Sequence, residues 1–338
     1  MARLCVIDQR GRIFHCADSS NPWSSFFSVL DARGFTFVEE LDFTEVDGLI
    51  CLGYHPKVLR SSALKSVPKN KRILINWEPP SVEPELYQLR YYSEFGFRLS
   101  PSSSWAEKIE GDSFPWPQSK ISSPPDFDDW KLRENRIVII QANKFSAHKE
   151  AKYSLRRSVI WSLGKQGILD LYGFGWHSSI FSNCRQWIAN ARRHRFRDIT
   201  CMTGSFSRPP SEVFLGSAEN KTDVYHRYQL ALVIENSLDY VSEKLFDAIS
   251  GGCLTVYVGS PSNAHLVGSL PELIPKPSAS DVIKAVELLL KRTDEERYQF
   301  FQIEYQALTK YGKNSLNFDV LGSLARECAD RLEESKNV

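Results

Sequence analysis

Residues 225–259, YHRYQLALVIENSLDYVSEKLFDAISGGCLTVYVG, admit few folds. Residues 229–234 (QLALVI) are apolar and partly β-branched, as a buried strand is. The polar loop 235–240 (ENSLDY) is rich in residues that hydrogen-bond their own backbone. A helix is expected from about Val241, with Val241, Leu245, Ala248 and Ile249 on one face. Gly251-Gly252 ends it in the left-handed manner usual for helix C-termini, and 253–258 (CLTVYV) is a second buried strand. Strand, loop, helix, strand calls for an open α/β sheet.

In such a sheet the polar groups collect at a strand's carboxyl end and the next helix's N-terminus, where free N–H groups favour anions. Glu243 and Lys244 fall in that first turn, with Asn236 and Tyr240 just upstream. A carboxylate suits ribose hydroxyls and an ammonium suits a phosphate. Taken alone, the stretch is equally a capped helix with two solvated charges.

The rest of the chain repeats the pattern. Residues 3–7, 35–38, 48–52 and 72–76 read as short apolar strands, and Asn21-Pro22 with Gly34 brackets a helix between the first two. Strands alternating with helices predict a parallel, Rossmann-like α/β sheet. From 101 to 130 the chain is rich in Ser, Pro and Trp and reads as an extended connection. Its Asp126-Phe127-Asp128 follows Pro-Pro and not a buried strand, so a solvated linker is preferred over a metal-binding DxD. Residues 136–141 (RIVIIQ) open a second domain, followed by Asn143-Lys144 and a helix carrying Leu155, Val159, Ile160 and Leu163 on one face. The domains are thus expected at 1–125, with the linker from about 101, and 126–338, ending in helices at 280–291, 293–310 (Thr293/Glu296 capping box) and 318–334.

Several motifs carry a further signal. ENSLDYVSEKLFDAISGGCLTVYVGSP resembles the signature of the α-1,3-fucosyltransferases, glycosyltransferase family 10, with Glu235, Asn236, Ser237, Asp239, Tyr240, Glu243, Lys244, Tyr257 and Gly259 matching. Ser242 replaces a threonine, Val258 a tryptophan, and the loop is about two residues shorter than in animal members. Trp77-Glu78-Pro79-Pro80-Ser81-Val82-Glu83-Pro84 resembles the family's Phe-Glu-Ser-Pro segment, whose glutamate is the general base; Glu78 takes that position and Glu83 is its rival. NKxSxxxxxxYxxR resembles bacterial members, with Lys144, Tyr153 and Arg156 in place; a guanidinium offers a diphosphate a bidentate fork. Arg157 is adjacent, and its bland alternative is a solvent-facing charge. Tyr172-Gly173-Phe174-Gly175-Trp176 fits the family's Tyr-Gly-x-Gly-Trp, and lacks the third glycine of a dinucleotide fingerprint. Lys221 and Tyr228 match a further family segment, in which Gln229 replaces a lysine.

The resemblance implies the GT-B architecture, two facing Rossmann-like domains with a helical C-terminal segment. It implies inverting transfer of L-fucose from GDP-fucose to a saccharide hydroxyl, in an α-1,3-type linkage. Glu78 would be the base and Arg156 with Lys244 the diphosphate clamp. Glu243 would hold the ribose, and Lys144, Asn236, Tyr240 and Ser242 would complete the donor site, with no metal and no cofactor beyond the donor. Two alternatives stand: a GT-B transferase using another sugar nucleotide, and a non-catalytic nucleotide-sugar-binding protein.

Composition narrows the setting. Lys+Arg 42 against Asp+Glu 41 leaves +1, which gives no electrostatic case for nucleic acid or an acidic membrane. The basic run 191–197 lacks interleaved aromatic platforms and reads as a solvated face. The scattered Cys residues, 7 in number and without a CxxC pair, favour a reducing compartment, so the cytoplasm is expected. No stretch has the length of a membrane span, and no histidine has metal-ligand spacing.

Overall fold

The computed structural model describes residues 2–8, 11–15, 23–38, 45–53, 62–100, 102–114, 121–146, 148, 150–176, 184, 188, 209, 212–237, 240, 242–259, 277–314 and 319–334. The chain forms two compact units, Met1–Pro117 with Ser315–Val338, and Gln118–Asn314.

The first unit holds β1 (Ala2–Ile7), α1 (Ser24–Ala32), β2 (Phe35–Phe37), β3 (Gly48–Leu52), β4 (Arg72–Ile75), α2 (Leu89–Tyr92), β5 (Phe97–Ser100), α3 (Ser103–Lys108) and β6 (Asp112–Ser113). Its strands pair in parallel in the order β2-β1-β3-β4-β5-β6. Alternate residues of β1 serve opposite faces: Leu4 and Val6 pack with Phe26, Phe27 and Leu30, while Cys5 and Ile7 pack with Leu49, Cys51 and Leu74. With both faces covered, the central strands β3 and β4 are buried at every residue, as strands inside a parallel sheet are.

Two expectations change here. The stretch after Pro101 is not an extended linker at its start, because Ser102 Oγ accepts from the Trp105 N–H at 3.2 Å and starts α3. β6 then adds to the sheet edge. A single cut near residue 125 also fails to describe the division, because the last helix, Val320–Glu334, belongs to the first unit. Its stripe Leu321, Leu324, Ala325, Cys328, Ala329 and Leu332 is buried in the core with Phe26, Phe27 and Leu30. Arg33 fastens it, with Nη2 2.7 Å from Asp330 and 2.6 Å from Glu333.

The second unit holds α4 (Phe127–Lys131), β7 (Glu134–Ile140), α5 (Tyr153–Lys165), β8 (Leu169–Tyr172), α6 (Lys221–Tyr225), β9 (Tyr228–Ile234), α7 (Glu243–Ser250), β10 (Leu254–Val258), α8 (Ala279–Leu290) and α9 (Asp294–Asn314). Its parallel sheet has the order β10-β9-β7-β8. Along β9, Leu230, Leu232 and Ile234 enter one core and Tyr228, Ala231 and Val233 the other. Asp126 caps α4, its Oδ1 accepting from the Asp129 N–H at 2.9 Å, and Asp128 pairs with Lys131 at 2.5 Å. The Thr293/Glu296 capping box forms, with bonds of 3.0 and 3.2 Å.

α7 starts at Glu243 with Ser242 as its cap, later than expected. Gly252, at φ 87°, supplies the left-handed residue after it. The Gly252 N–H reaches Ile249 O at 3.0 Å and the Cys253 N–H reaches Ala248 O at 3.0 Å, a Schellman ending. Asn21, Pro22, Asp239, Val241 and the run 191–197 lie outside the described residues. Among the described residues no helix is long and apolar enough to cross a membrane.

Candidate functional site

β7 has β8 on one side and β9 on the other, so the connections leaving these strands diverge at its carboxyl end. Open α/β sheets take ligands in the crevice such a switch point leaves. The crevice is stitched by side chains. Gln141, just past β7, donates from Nε2 to Ile234 O at 2.7 Å. Arg156 Nη2 reaches the same carbonyl at 2.7 Å and Asn236 Oδ1 at 3.2 Å. The Lys152 N–H donates to Asn236 O at 3.0 Å, tying the start of α5 to the exit of β9.

Arg156 and Arg157 are both buried, at 3% and 4% exposure. The bland alternative for Arg157, a solvent-facing charge, therefore does not hold. Each arginine sits one turn before the buried Val159 and Ile160, so the helix period carries both into the apolar stripe. Arg156 lies over the Tyr153 ring at 5.0 Å, and Arg157 over the Phe145 ring at 4.9 Å. Arg157 Nη1 donates to Lys144 O at 2.8 Å. Arg156 Nε, Arg157 Nε and Arg157 Nη2 are enclosed without a hydrogen-bond partner. Neither guanidinium has an ion pair with a carboxylate among the described residues. Burial pushes the Arg156 pKa down to about 10. Burial, then repulsion from Arg156, brings Arg157 down to about 10. Both remain charged at neutral pH, and unpaired buried charge is expensive.

The N-terminus of α7 adds a second cationic group. Glu235, fully buried at the end of β9, accepts from the Ser242 N–H at 2.9 Å and the Ser242 hydroxyl at 2.7 Å. Ser242 Oγ in turn accepts from the Lys244 N–H at 3.4 Å and from Lys244 Nζ at 3.0 Å. Burial raises the Glu235 pKa, against the opposing pull of Lys244 and of the Ser242 bonds. Glu243 is engaged within the protein: its Oε1 accepts from Lys221 Nζ at 2.9 Å, and Lys221 also reaches Asp247 at 3.1 Å. Burial pushes the Glu243 carboxyl up, but Lys244 and Lys221 outweigh it and hold it at about 2. The structural parts of Glu235, Lys221 and Asp247 escape sequence reasoning. For Glu235 the available signal was a carboxylate closing an otherwise apolar strand.

The glycines of the Tyr-Gly-x-Gly-Trp run bring the exit of β8 against that of β7. Gly173 and Gly175 have φ 137° and 84°. A Cβ on Gly173 would stand 2.1 Å from Gln141 O, and one on Gly175 would stand 3.1 Å from Asn143 O. Trp176 Nε1 donates to Gln141 O at 2.7 Å, and the Asn143 N–H donates to Phe174 O at 2.9 Å.

Of the expected site residues, Arg156, Asn236, Ser242, Glu243 and Lys244 gather at the strand exits. Tyr240 is buried beside them in sequence, at 4% exposure. The Lys144 side chain is exposed and contributes its carbonyl to Arg157. Glu78 is in the first unit, half-buried past β4, and its carbonyl accepts from the Tyr87 hydroxyl at 3.0 Å. Glu83 is buried, at 8% exposure. In the same unit Tyr92 Oη accepts from Asn76 Nδ2 at 3.1 Å and from Trp105 Nε1 at 2.9 Å.

Two parallel sheets of this order, with polar groups at the carboxyl edge of the second, make the α/β fold of the GT-B glycosyltransferases. An α,α-trehalose-phosphate synthase from Burkholderia vietnamiensis superposes with TM-score 0.56 at 10% identity, over 100% of this chain and 99% of that one. Anabaena HepE, in complex with UDP and glucose, gives 0.55 at 11%, over 97% and 99%. A DNA-modifying β-glucosyltransferase gives 0.53 at 14%, over 97% and 99%. No protein-family model matches the sequence, and no curated protein matches it.

Proposed function

We propose that this chain is a glycosyltransferase that takes its sugar from a nucleoside diphosphate donor. One observation carries the reading: two adjacent guanidiniums, buried and without a carboxylate ion pair among the described residues, at the switch point of a parallel sheet. A chain keeps such charges where a ligand supplies the counter-charge, and a diphosphate matches two forks and a nearby ammonium. In this reading Arg156, Arg157 and Lys244 neutralise the leaving diphosphate, so no metal or other cofactor is needed. Asn236, Tyr240, Ser242 and Lys144 line the donor site. Glu243, fixed by Lys221, presents its second oxygen to the ribose.

The transfer is a single displacement. The acceptor hydroxyl oxygen bonds to C1 of the sugar as the bond from C1 to the phosphate oxygen breaks. The diphosphate leaves with that electron pair, and the hydroxyl proton passes to Glu78 as base. GDP-fucose as donor, and a saccharide acceptor giving an α-1,3-type linkage, rest on the family resemblance of residues 72–84 and 136–261 alone. The structural neighbours include proteins bound to UDP, so a UDP-sugar is the competing donor. A transfer assay with isotope-labelled GDP-fucose and UDP-glucose, each with EDTA and with Mn²⁺, decides among them. Label moved from GDP-fucose in EDTA supports the full reading. Label moved only from UDP-glucose overturns the donor, and label moved only with Mn²⁺ overturns the metal-free step. Tight nucleotide binding with no transfer to any saccharide makes the chain a binding protein.

A further inference from the structure

Phe174 is a large apolar side chain left 64% exposed, yet the turn that carries it is hydrogen-bonded on both sides at the carboxyl edge of the second sheet. Its carbonyl accepts from the Asn143 N–H at 2.9 Å, and the next carbonyl, Gly175 O, accepts from Asn143 Nδ2 at 3.2 Å. On the other side the Gly173 N–H donates to Gly216 O at 2.8 Å, and the Leu215 N–H donates to Leu171 O at 2.9 Å. Leu215, 49% exposed, is thereby held alongside the turn. The flanking glycines, in left-handed conformations that a Cβ would block against the exit of β7, let the turn press onto Gln141 and Asn143. A ring on so fixed a turn loses little freedom when something stacks on it.

The neighbouring amides say what kind of ligand edge belongs there. Asn143 spends its Nδ2 on Gly175 O and Gln141 spends its Nε2 on Ile234 O. That leaves Asn143 Oδ1 and Gln141 Oε1, both in buried side chains, as acceptors without a partner. An exposed ring on a turn bonded to Asn143, whose Oδ1 has no partner, suits a flat ligand ring that carries N–H donors.

Resting on the nucleotide-donor reading, we propose that Phe174 is the stacking platform for the heterocyclic base of the donor. Asn143 Oδ1 accepts from a ring N–H of that base. Phe174 acts on the base and not on the diphosphate, so its contribution separates from that of the arginines. Stacking on an aromatic side chain tolerates different bases, while the acceptor oxygen favours those with a ring N–H, such as guanine and uracil.

The test is calorimetry on the full chain with GDP, UDP and inorganic pyrophosphate as probes. Phe174→Ala is expected to weaken GDP and UDP about fivefold to a hundredfold, the usual span for a lost base-stacking residue. It should leave pyrophosphate affinity unchanged, and Phe174→Trp should keep GDP affinity. Unchanged GDP and UDP affinity in Phe174→Ala overturns the platform while the donor reading stands. An equal loss for pyrophosphate also overturns it, because the turn, and not the ring, would then carry the effect. Wild-type protein that binds none of the three probes overturns both.

Discussion

Ser242 is held to Glu235 by both of its polar groups, the N–H to Oε1 at 2.9 Å and the hydroxyl to Oε2 at 2.7 Å. With its proton committed there, Ser242 Oγ is fixed as an acceptor for Lys244. The buried carboxylate orients the cap, and the cap orients the lysine. Glu235→Ala strands two buried donors and is expected to lower stability by about 2–4 kcal/mol. Denaturant unfolding measures this, and a loss under 1 kcal/mol, below the usual cost of such stranded groups, would show that the two bonds do not hold the helix start.

Glu243 gives the chain an acid-sensitive element. Burial raises its pKa, and Lys244 and Lys221 lower it further than that, from 4.5 to about 2. A depressed carboxylate contributes stability that is complete above its unfolded value and lost as pH falls through the folded one. The window therefore runs from about 4.5 down to about 2. Glu235 is raised, chiefly by burial, and works oppositely: its contribution declines as pH rises above the ordinary glutamate range. Unfolding midpoints followed across the acid range should fall less steeply in Glu243→Gln than in wild type. Parallel curves would refute the assignment.

Arg157 should behave as a group kept for a ligand. Replacing an unpaired buried charge with an apolar side chain of similar length removes a desolvation penalty. Arg157→Met is expected to hold or raise the stability of the unliganded protein, by about 1–2 kcal/mol. Pyrophosphate binding should weaken at least tenfold, on the scale of a lost buried charge contact. Calorimetry and unfolding on the same sample check both. A destabilised variant with wild-type pyrophosphate affinity would make the arginine structural.

Glu78 separates chemistry from binding. Glu78→Gln keeps the side-chain shape and removes its basicity. Transfer should fall by roughly 10²–10⁴, with nucleotide affinity unchanged. Retention of more than about a tenth of the wild-type rate, outside that range, moves the role to Glu83.

The turn after β8 is intolerant at one position more than the other. A Cβ at Gly173 would lie 2.1 Å from Gln141 O, a backbone atom, in addition to the strain of φ 137°. At Gly175 the nearest atom is 3.1 Å away. Gly173→Ala should cost about 2–4 kcal/mol, in the range of backbone strain with overpacking, and Gly175→Ala clearly less. Thermal unfolding of the two variants ranks them, and equal losses would contradict the close approach.

The apolar runs made the strands legible, and β3 occupies Gly48–Leu52, the span its sequence suggests. Residues such as Lys244 and Asn236 were marked by their place at a strand exit and helix start. What stayed hidden depends on partners distant in sequence. The stripe of the last helix shows that it is amphipathic but not which core it enters. Arg157 looks like surface charge until the helix period is referred to the sheet beneath. Glu235 looks like the first residue of a polar loop until Ser242, seven residues on, closes both bonds. The short α3 and β6 are hidden by a Ser- and Pro-rich stretch whose local composition argues for a connection.

The placement of the last helix sets an order of events during synthesis. Leu4, Phe26, Phe27 and Leu30 share their core with Leu321, Leu324, Ala325, Cys328, Ala329 and Leu332. While the ribosome is still making the second unit, the first has that face of its sheet uncovered. The second unit has every strand of its own sheet within Gln118–Asn314 and closes without waiting. The unit whose strands are translated first is thus completed only after the second has been made, and until then its exposed apolar face is a surface for chaperones to guard.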